Sequence, residues 1–359
     1  MNNEFAQRRH LIGAGLENRE IDAMLVTSPA SVRYLTGFNG SNGAVLALPG
    51  EAIFFTDPRY AIQSRREVSC RTQVCKDPIL PTVAGILAAR RIRRLGFEPA
   101  HLSYAGFDVL RANMPVNASL EPVSGWLEAH RMLKSESEIE LIRRSVATNS
   151  KAFEWAAGRV RPGMCERDLA AEIDHRMRRL GAEKPSFETI VAAGERSALP
   201  HAHPTSAVLK SRQLVLIDMG AFQDGYASDM TRMLFLGEPG APVKRLYRAV
   251  LEAQLAAIDA VRPGVTTTHV DRQARNVLKA YKLERAFVHS TGHGLGLEIH
   301  ELPRIGMKDK TPLAAGMAIT IEPGVYLDGV GGIRIEDTVV VTPSGCEVLT
   351  PTSKELRVL

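Results

Sequence analysis

The sequence contains no stretch approaching the roughly 18 consecutive apolar residues that a membrane-spanning helix requires. Its first ten residues, MNNEFAQRRH, are polar and lack the apolar core of a secretory signal. The four cysteines, Cys70, Cys75, Cys165 and Cys346, form neither a CxxC pair nor a dense framework. These absences argue against a membrane protein or a disulfide-stapled secreted domain, and a reducing, cytoplasmic setting is expected. A large excess of one charge is also missing, because the formal net charge is only +5 over 359 residues. The one dense basic run, Arg90-Arg91-Ile92-Arg93-Arg94, has no interleaved aromatic residues of the kind a single-strand binder uses. We read it as the wet face of a helix over residues 80–94, and expect neither nucleic acid nor a membrane as partner.

What is present begins with length, which is too great for one ordinary core, so two domains are expected. Residues 21–27 (IDAMLVT) read as a short buried strand. Residues 44–48 and 52–55 read as two more, separated by the turn signal Pro49-Gly50. Together with the helix they make a small α/β domain, taken as residues 1–130. Lys134-Ser135-Glu136-Ser137-Glu138 then opens a long amphipathic helix. Ser135 or Ser137 can cap it, acids occupy its first turn, and Ile139, Ile142, Val146 and Phe153 supply its buried stripe. The second domain is taken as residues 131–359.

That second domain repeats itself. Val160-Arg161-Pro162-Gly163 recurs as Val261-Arg262-Pro263-Gly264, an offset of 101. The run ending Ile217-Asp218-Met219-Gly220 is echoed by Ile321-Glu322-Pro323-Gly324 at an offset of 104, and Asp229-Met230-Thr231 by Glu336-Asp337-Thr338 at 107. Between them, Gly194…His201 is paralleled by Gly292…His300. Pro-Gly pairs and apolar strands are common, but four matches in chain order point to a duplication. Each half reads helix, helix, then strands carrying acids, with a site expected on a pseudo-twofold axis.

The acids carry the chemistry. Asp218 and Glu322 each end an apolar strand-like run, where a carboxylate is costly unless paired or bound to a cation. On a strand, Asp229 shares a face with Thr231, whose hydroxyl could orient the carboxylate. Glu336 shares a face with Arg334 and Thr338, and Asp337 points the other way. Four converging carboxylates would repel, and cations resolve that. A carboxylate-rich site with one imidazole suits Mn²⁺, Co²⁺, Fe²⁺ or Zn²⁺. The imidazole candidate is His293, set between glycines in a loop that also holds His289 and His300. His201 joins them through the repeat, whereas surface exposure is the better reading of its neighbour His203.

The order Asp218, Asp229, His293, Glu322, Glu336 resembles that of the pita-bread (M24-type) metallopeptidases: methionine aminopeptidase, aminopeptidase P and prolidase. The strings IDMGA, SDMTR, GHGLGLEIHE, IEPGVY and IRIEDT are similar to those of the last two. Tyr34-Leu35-Thr36-Gly37-Phe38 and Phe55-Thr56-Asp57-Pro58-Arg59-Tyr60 resemble the creatinase/prolidase N-terminal domain, so the likeness covers essentially the whole chain. No ligand position is substituted. The resemblance implies an α/β N-terminal domain followed by an α+β pita-bread domain. It implies two divalent ions, Mn²⁺ foremost, with Asp218 on one, Asp229 and Glu336 bridging, and His293 and Glu322 completing the other site. It further implies a bridging water as nucleophile, Glu322 as proton shuttle, and His201 and His300 lining the pocket. His289 matches a further pocket histidine, and Arg334 an arginine near the substrate's carboxylate end or a glutamate ligand. The expected substrate is a proline-containing peptide cut after its first residue, and the expected assembly a homodimer. Dipeptide and longer-peptide preference are both open. The alternatives are methionine aminopeptidase, a metal-free creatinase-like enzyme, and a non-catalytic binding module on the same fold. The N-terminal domain argues against the first and the intact ligands against the other two.

Overall fold

A computed structural model describes residues 2–359. The chain divides into two compact units, one ending at His130 and the other beginning at Arg131. No helix among the described residues is long and apolar enough to cross a membrane, and Cys70, Cys75, Cys165 and Cys346 are all free thiols.

The first unit is built on a six-stranded sheet. In spatial order its strands are Arg71–Val74, Glu51–Thr56, Gly43–Leu48, Ala23–Val26, Arg94–Phe97 and Ser119–Pro122. Ala23–Val26 lies inside the sheet and is buried on both faces, which is why its sequence is continuously apolar rather than alternating. Leu48 pairs with Glu51 across Pro49-Gly50, and Gly50 takes φ +71°. Proline followed by a left-handed glycine suits that tight connection.

The basic run is not a helix face. The helix Ile79–Ala89 buries Val83, Ala84 and Leu87. The next places on that stripe fall at residues 90 and 91, both arginines, so the helix has nothing left to bury. Arg91 turns the chain at φ +57°, and Arg94 opens the next strand. Arg90 pairs with Glu51 at 2.6 Å and Arg94 with Glu20 at 3.4 Å.

The second unit shows the duplication in its hydrogen bonds. The helix Glu136–Ala157 is capped by Ser135, whose hydroxyl and Glu138 form a reciprocal capping box. It is followed by Glu166–Arg179, and the second half matches this pair with Ala241–Asp259 and Thr267–Ala280. Gly163 and Gly264 both take left-handed φ, +94° and +82°. Their amides donate to Leu209 and Leu313 carbonyls, and the amides of those leucines donate back to Met164 and Val265. The strands follow suit. Leu214–Met219 pairs antiparallel with Met230–Phe235, and Ala318–Ile321 with Asp337–Val341.

One repeat match needs shifting. Ile190 pairs with Asp218, and the Thr291 carbonyl accepts from the Glu322 amide, so residue 190 corresponds to residue 291. Gly292 therefore sits inside a strand, three places before the counterpart of Gly194. The two glycines have different reasons. Gly194 turns the chain at φ +56°, whereas a Cβ on Gly292 would lie 1.9 Å from the Thr320 carbonyl oxygen.

Strand alternation aims the acids. Val215, Ile217 and Met219 pack with the first helix pair, whereas Leu214 and Leu216 join the core formed with the second pair. Asp218 shares the face of Leu214 and Leu216, so it points between the halves.

Candidate metal centre

Asp229 and Glu336 stand at equivalent two-residue breaks, between Tyr226–Ala227 and Met230–Phe235 and between Gly331–Arg334 and Asp337–Val341. A break frees a residue from strand pairing and lets its carboxyl turn inward. Asp218 lies within its strand and Glu322 directly follows Ala318–Ile321. His293 is held on Gly292–Gly294, where neither neighbour could carry a side chain: a Cβ on Gly294 would meet the Leu302 carbonyl oxygen at 2.1 Å.

These residues converge. Donor atoms of Asp229, His293 and Glu336 lie within 4.8 Å of one another. The His293 Nε2 is 3.6 Å from Asp229 Oδ2 and 3.5 Å from Glu322 Oε1. Its Nδ1 lies 2.9 Å from the Gly294 carbonyl oxygen, which can only accept. Nδ1 therefore carries the proton and the Nε2 lone pair faces the acids, the tautomer a metal ligand needs. Burial pushes the His293 pKa down to about 4, which keeps the ring neutral.

The carboxyls are under-served by the protein. Asp218 Oδ1 and Glu336 Oε1 are buried with no hydrogen-bond partner among the described residues. Burial raises the pKa of Asp229 well above its ordinary value, and the Glu336, Asp218 and Glu322 charges add to the rise. Glu336 is raised well above its usual range for the same reasons, burial first. Burial lifts Glu322 to about 7 against the pull of Arg334. Oxygen donors short of partners, mutually repelling and joined by one imidazole nitrogen, fit divalent cations of the hard-to-borderline type.

One consequence is measurable. A carboxyl with a raised folded-state pKa binds more protons folded than unfolded, so stability falls as pH rises between the two values. His289 and His293, both lowered to about 4, act in the opposite sense, but only below the ordinary imidazole value of 6.5. Above 6.5 the acids act alone among these groups. Metal-free protein is expected to lose thermal stability between pH 6.5 and about pH 8, and saturating divalent metal to suppress that loss. Melting curves with and without chelator check this. Parallel pH trends in the two states would mean the acids are not cation ligands.

A second set of side chains orients the acids, and it crosses between the halves. The Thr231 hydroxyl donates to Glu336 Oε2 at 2.7 Å, not to Asp229 two residues before it. Thr338 in turn donates to the Asp229 carbonyl at 3.1 Å. Glu336 is held alongside by its amide, which donates to the Thr231 carbonyl at 3.3 Å, and Thr231 lies opposite Asp218 in the ladder, two residues from the pairing expected if the halves matched residue for residue. Arg334 is fully buried. It donates to Asp218 Oδ2 at 2.5 Å, to Thr231 Oγ1 at 3.0 Å, to the Tyr326 phenol at 2.6 Å and to the Pro200 carbonyl at 3.2 Å. Its direct carboxylate is thus an aspartate, and it reaches a glutamate only through Thr231. Burial opposes its charge, but Tyr326, Asp218, Glu322 and Glu336 more than offset that and raise its pKa.

His289, expected as a further pocket histidine, is held by two hydrogen bonds. Its Nδ1 donates to the Ser290 carbonyl and its Nε2 accepts from the Tyr326 phenol, both at 2.8 Å. Both ring nitrogens are spent inside the protein. His300 is exposed on one side, while its ring packs 4.4 Å from that of His293; the partial burial there, and then the His201 charge, lower its pKa. His201 is exposed beside Pro200. His203 is exposed and contacts Glu188 at 3.0 Å. Asp337 points away into a separate buried group with Arg232 at 2.7 Å and Lys354 at 2.6 Å. Tyr326 and Thr320 were missed by sequence reasoning. The Tyr in IEPGVY lies four residues beyond Glu322, and Thr320 sits two before it, accepting from the His293 amide at 3.1 Å.

Known proteins are similar to this chain in sequence and in fold. A family model described as metallopeptidase family M24 matches residues 140–343, and one described as the creatinase/prolidase N-terminal domain matches residues 8–133. The chain is 36% identical over 341 residues to a Xaa-Pro dipeptidase of Pyrococcus furiosus, covering 95% of this chain and 97% of that one. It is similar in structure to a Xaa-Pro dipeptidase from Bacillus anthracis, with TM-score 0.96, 36% identity and coverage of 99% and 100%. It is likewise similar to an X-Pro aminopeptidase from Thermotoga maritima, with TM-score 0.89, 34% identity and coverage of 95% and 98%.

Proposed function

The chain belongs to metallopeptidase family M24, and from that premise we propose that it hydrolyses the bond between an N-terminal residue and proline at a dinuclear site. The observation that carries the reading is the cluster itself: four inward-facing acids, two with orphaned oxygens, around a correctly tautomeric His293. Asp218, Asp229, His293, Glu322 and Glu336 would hold two divalent ions, with Mn²⁺ the expected metal. Ions bound there supply Lewis acidity, lowering the pKa of water to about 7 so that hydroxide is available at neutral pH.

The protein's own groups do the rest. Glu322 has an 18% exposed side chain, against 7% for Asp229, so it is within reach of substrate. It takes a proton from the attacking water and returns it to the leaving proline nitrogen. His300 and His201, exposed at the rim, donate to the carbonyl oxygen as charge builds there. Proline lacks the N–H that extended-chain proteases grip and its ring fixes φ, so a dedicated site is needed. The creatinase/prolidase N-terminal domain sets the chain apart from a methionine aminopeptidase.

The test is hydrolysis of Ala-Pro and Ala-Pro-Ala after chelation and after adding back Mn²⁺ or Co²⁺. Metal-dependent release of alanine is expected. Cleavage of Ala-Pro alone marks a dipeptidase, and cleavage of both marks an aminopeptidase. Hydrolysis of neither, or full activity in excess chelator, would sink the reading.

A further inference from the structure

The first unit gathers three donor side chains of its own. Glu98 directly follows the strand Arg94–Phe97, His101 lies in the turn after it, and Glu128 stands on the helix Trp126–Met132. The Glu98 carbonyl accepts from the amides of His101 and Leu102, at 3.1 and 3.0 Å, which curls the chain back on itself. One donor atom from each of Glu98, His101 and Glu128 lies within 4.8 Å of the other two.

Glu98 is the informative member. It is 2% exposed, and its Oε2 accepts from the Thr27 and Ser28 amides at 2.8 and 2.9 Å. Its Oε1 is equally buried and has no hydrogen-bond partner among the described residues. A buried carboxylate oxygen without a donor is costly, and a second carboxylate beside it adds repulsion. A cation between the two relieves both, and the neighbouring imidazole completes a donor set.

We propose that Glu98, His101 and Glu128 form a further divalent-cation site, separate from the acid centre, that takes a borderline ion such as Zn²⁺. Two carboxylates and one imidazole are donors that Zn²⁺ accepts, and three protein ligands leave a fourth position for water. The place in the fold gives the ion a structural task. Glu98 already grips the chain where Ser28 caps the helix Pro29–Thr36. An ion on its free oxygen clasps that point to the turn at His101 and to the helix bearing Glu128.

Equilibrium dialysis of the metal-free full chain against Zn²⁺, with metal per chain measured by mass spectrometry, decides the matter. His101 is exposed, so His101→Ala is expected to fold as the wild type does. Wild type should hold one ion more than His101→Ala and one more than Glu128→Gln, and both variants should keep the wild-type peptidase rate. Adding His101→Ala to Asp229→Asn, which impairs the acid centre, should remove one further ion. Equal Zn²⁺ content in wild type and both single variants would overturn the proposal. So would an Asp229→Asn background in which His101→Ala removes no ion.

Discussion

Asp229→Asn is expected to abolish peptide hydrolysis and, at about pH 8, to make the metal-free protein harder to unfold. The two effects have one cause. Asp229 is buried among Glu336, Asp218 and Glu322, and each of these charges raises its pKa. With cations bound, its carboxylate would be a ligand. Without them its ionisation is opposed by burial and by like charges, so at about pH 8 the fold must either hold a proton there or bear the repulsion. Asparagine keeps the size of the side chain, removes the charge and adds an N–H₂ donor that neighbouring carboxylates can use. Relief of the repulsion should stabilise the metal-free chain by on the order of 1–3 kcal/mol.

Loss of the ligand costs far more in catalysis. Lewis-acid stabilisation of the transition state is worth several kcal/mol, and ~4 kcal/mol corresponds to about a thousandfold in rate. Saturating Mn²⁺ should raise the melting temperature of wild type much more than that of the variant, because only tight binding to the native state stabilises it. The order of stability therefore reverses: variant above wild type in chelator, wild type above variant in Mn²⁺. Melting curves in the two conditions, with metal content and Ala-Pro hydrolysis, read all three effects. A variant that stays fully active, or one less stable than wild type in both conditions, is incompatible with Asp229 as a metal ligand.

How much of this was legible in the sequence depends on the range of the interaction. Asp218 and Glu322 stood out because an acid at the end of an apolar strand is a local anomaly. His293 stood out because glycine on both sides is one too, and the close approaches at Gly292 and Gly294 give its physical cause. The helix start was readable from its acids and apolar stripe, but Ser135 and Ser137 were both open as the cap, and the reciprocal bonds of Ser135 and Glu138 show which one it is. The partner of Thr231 was not readable. Alternation along one strand pointed to Asp229, but the hydroxyl reaches across the duplication to Glu336, 105 residues away. His289 was expected as a pocket histidine, but its bond to Tyr326, 37 residues on, had no local signal. The grouping of Glu98, His101 and Glu128 joins a turn to a helix and has no periodic signature at all. The basic run failed differently. Its composition suggested a solvated helix, whereas the fate of the helix was set by the apolar stripe ending at Leu87.

Arg334→Ala is expected to lower peptidase activity by about 10–100-fold or more and to destabilise the protein by about 3–5 kcal/mol, although the residue is not itself a metal ligand. Its guanidinium joins Asp218, Thr231, Tyr326 and Pro200 in one fan, and through Thr231 it fixes Glu336. Removing it leaves Asp218 Oδ2 as bare as Oδ1 already is, and leaves Thr231 held only by Glu336 and the Tyr326 phenol only by His289. Arg334→Lys separates charge from geometry. An ammonium retains the positive charge but cannot hold the fork that reaches Asp218 and Thr231 together, so activity should remain well below wild type while part of the stability returns. Tyr326→Phe isolates the outer arm. It breaks the link from Arg334 to His289 but leaves Asp218 and Thr231 in place, so its loss of activity should be the smallest of the three. The readouts are metal affinity and the separate effects on kcat and KM. If Arg334 acts by orienting ligands, affinity for the ions and kcat fall together, in the order Ala, Lys, Phe at the respective positions. Wild-type metal affinity and kcat in Arg334→Lys would show that charge alone suffices and that the fan of hydrogen bonds is dispensable.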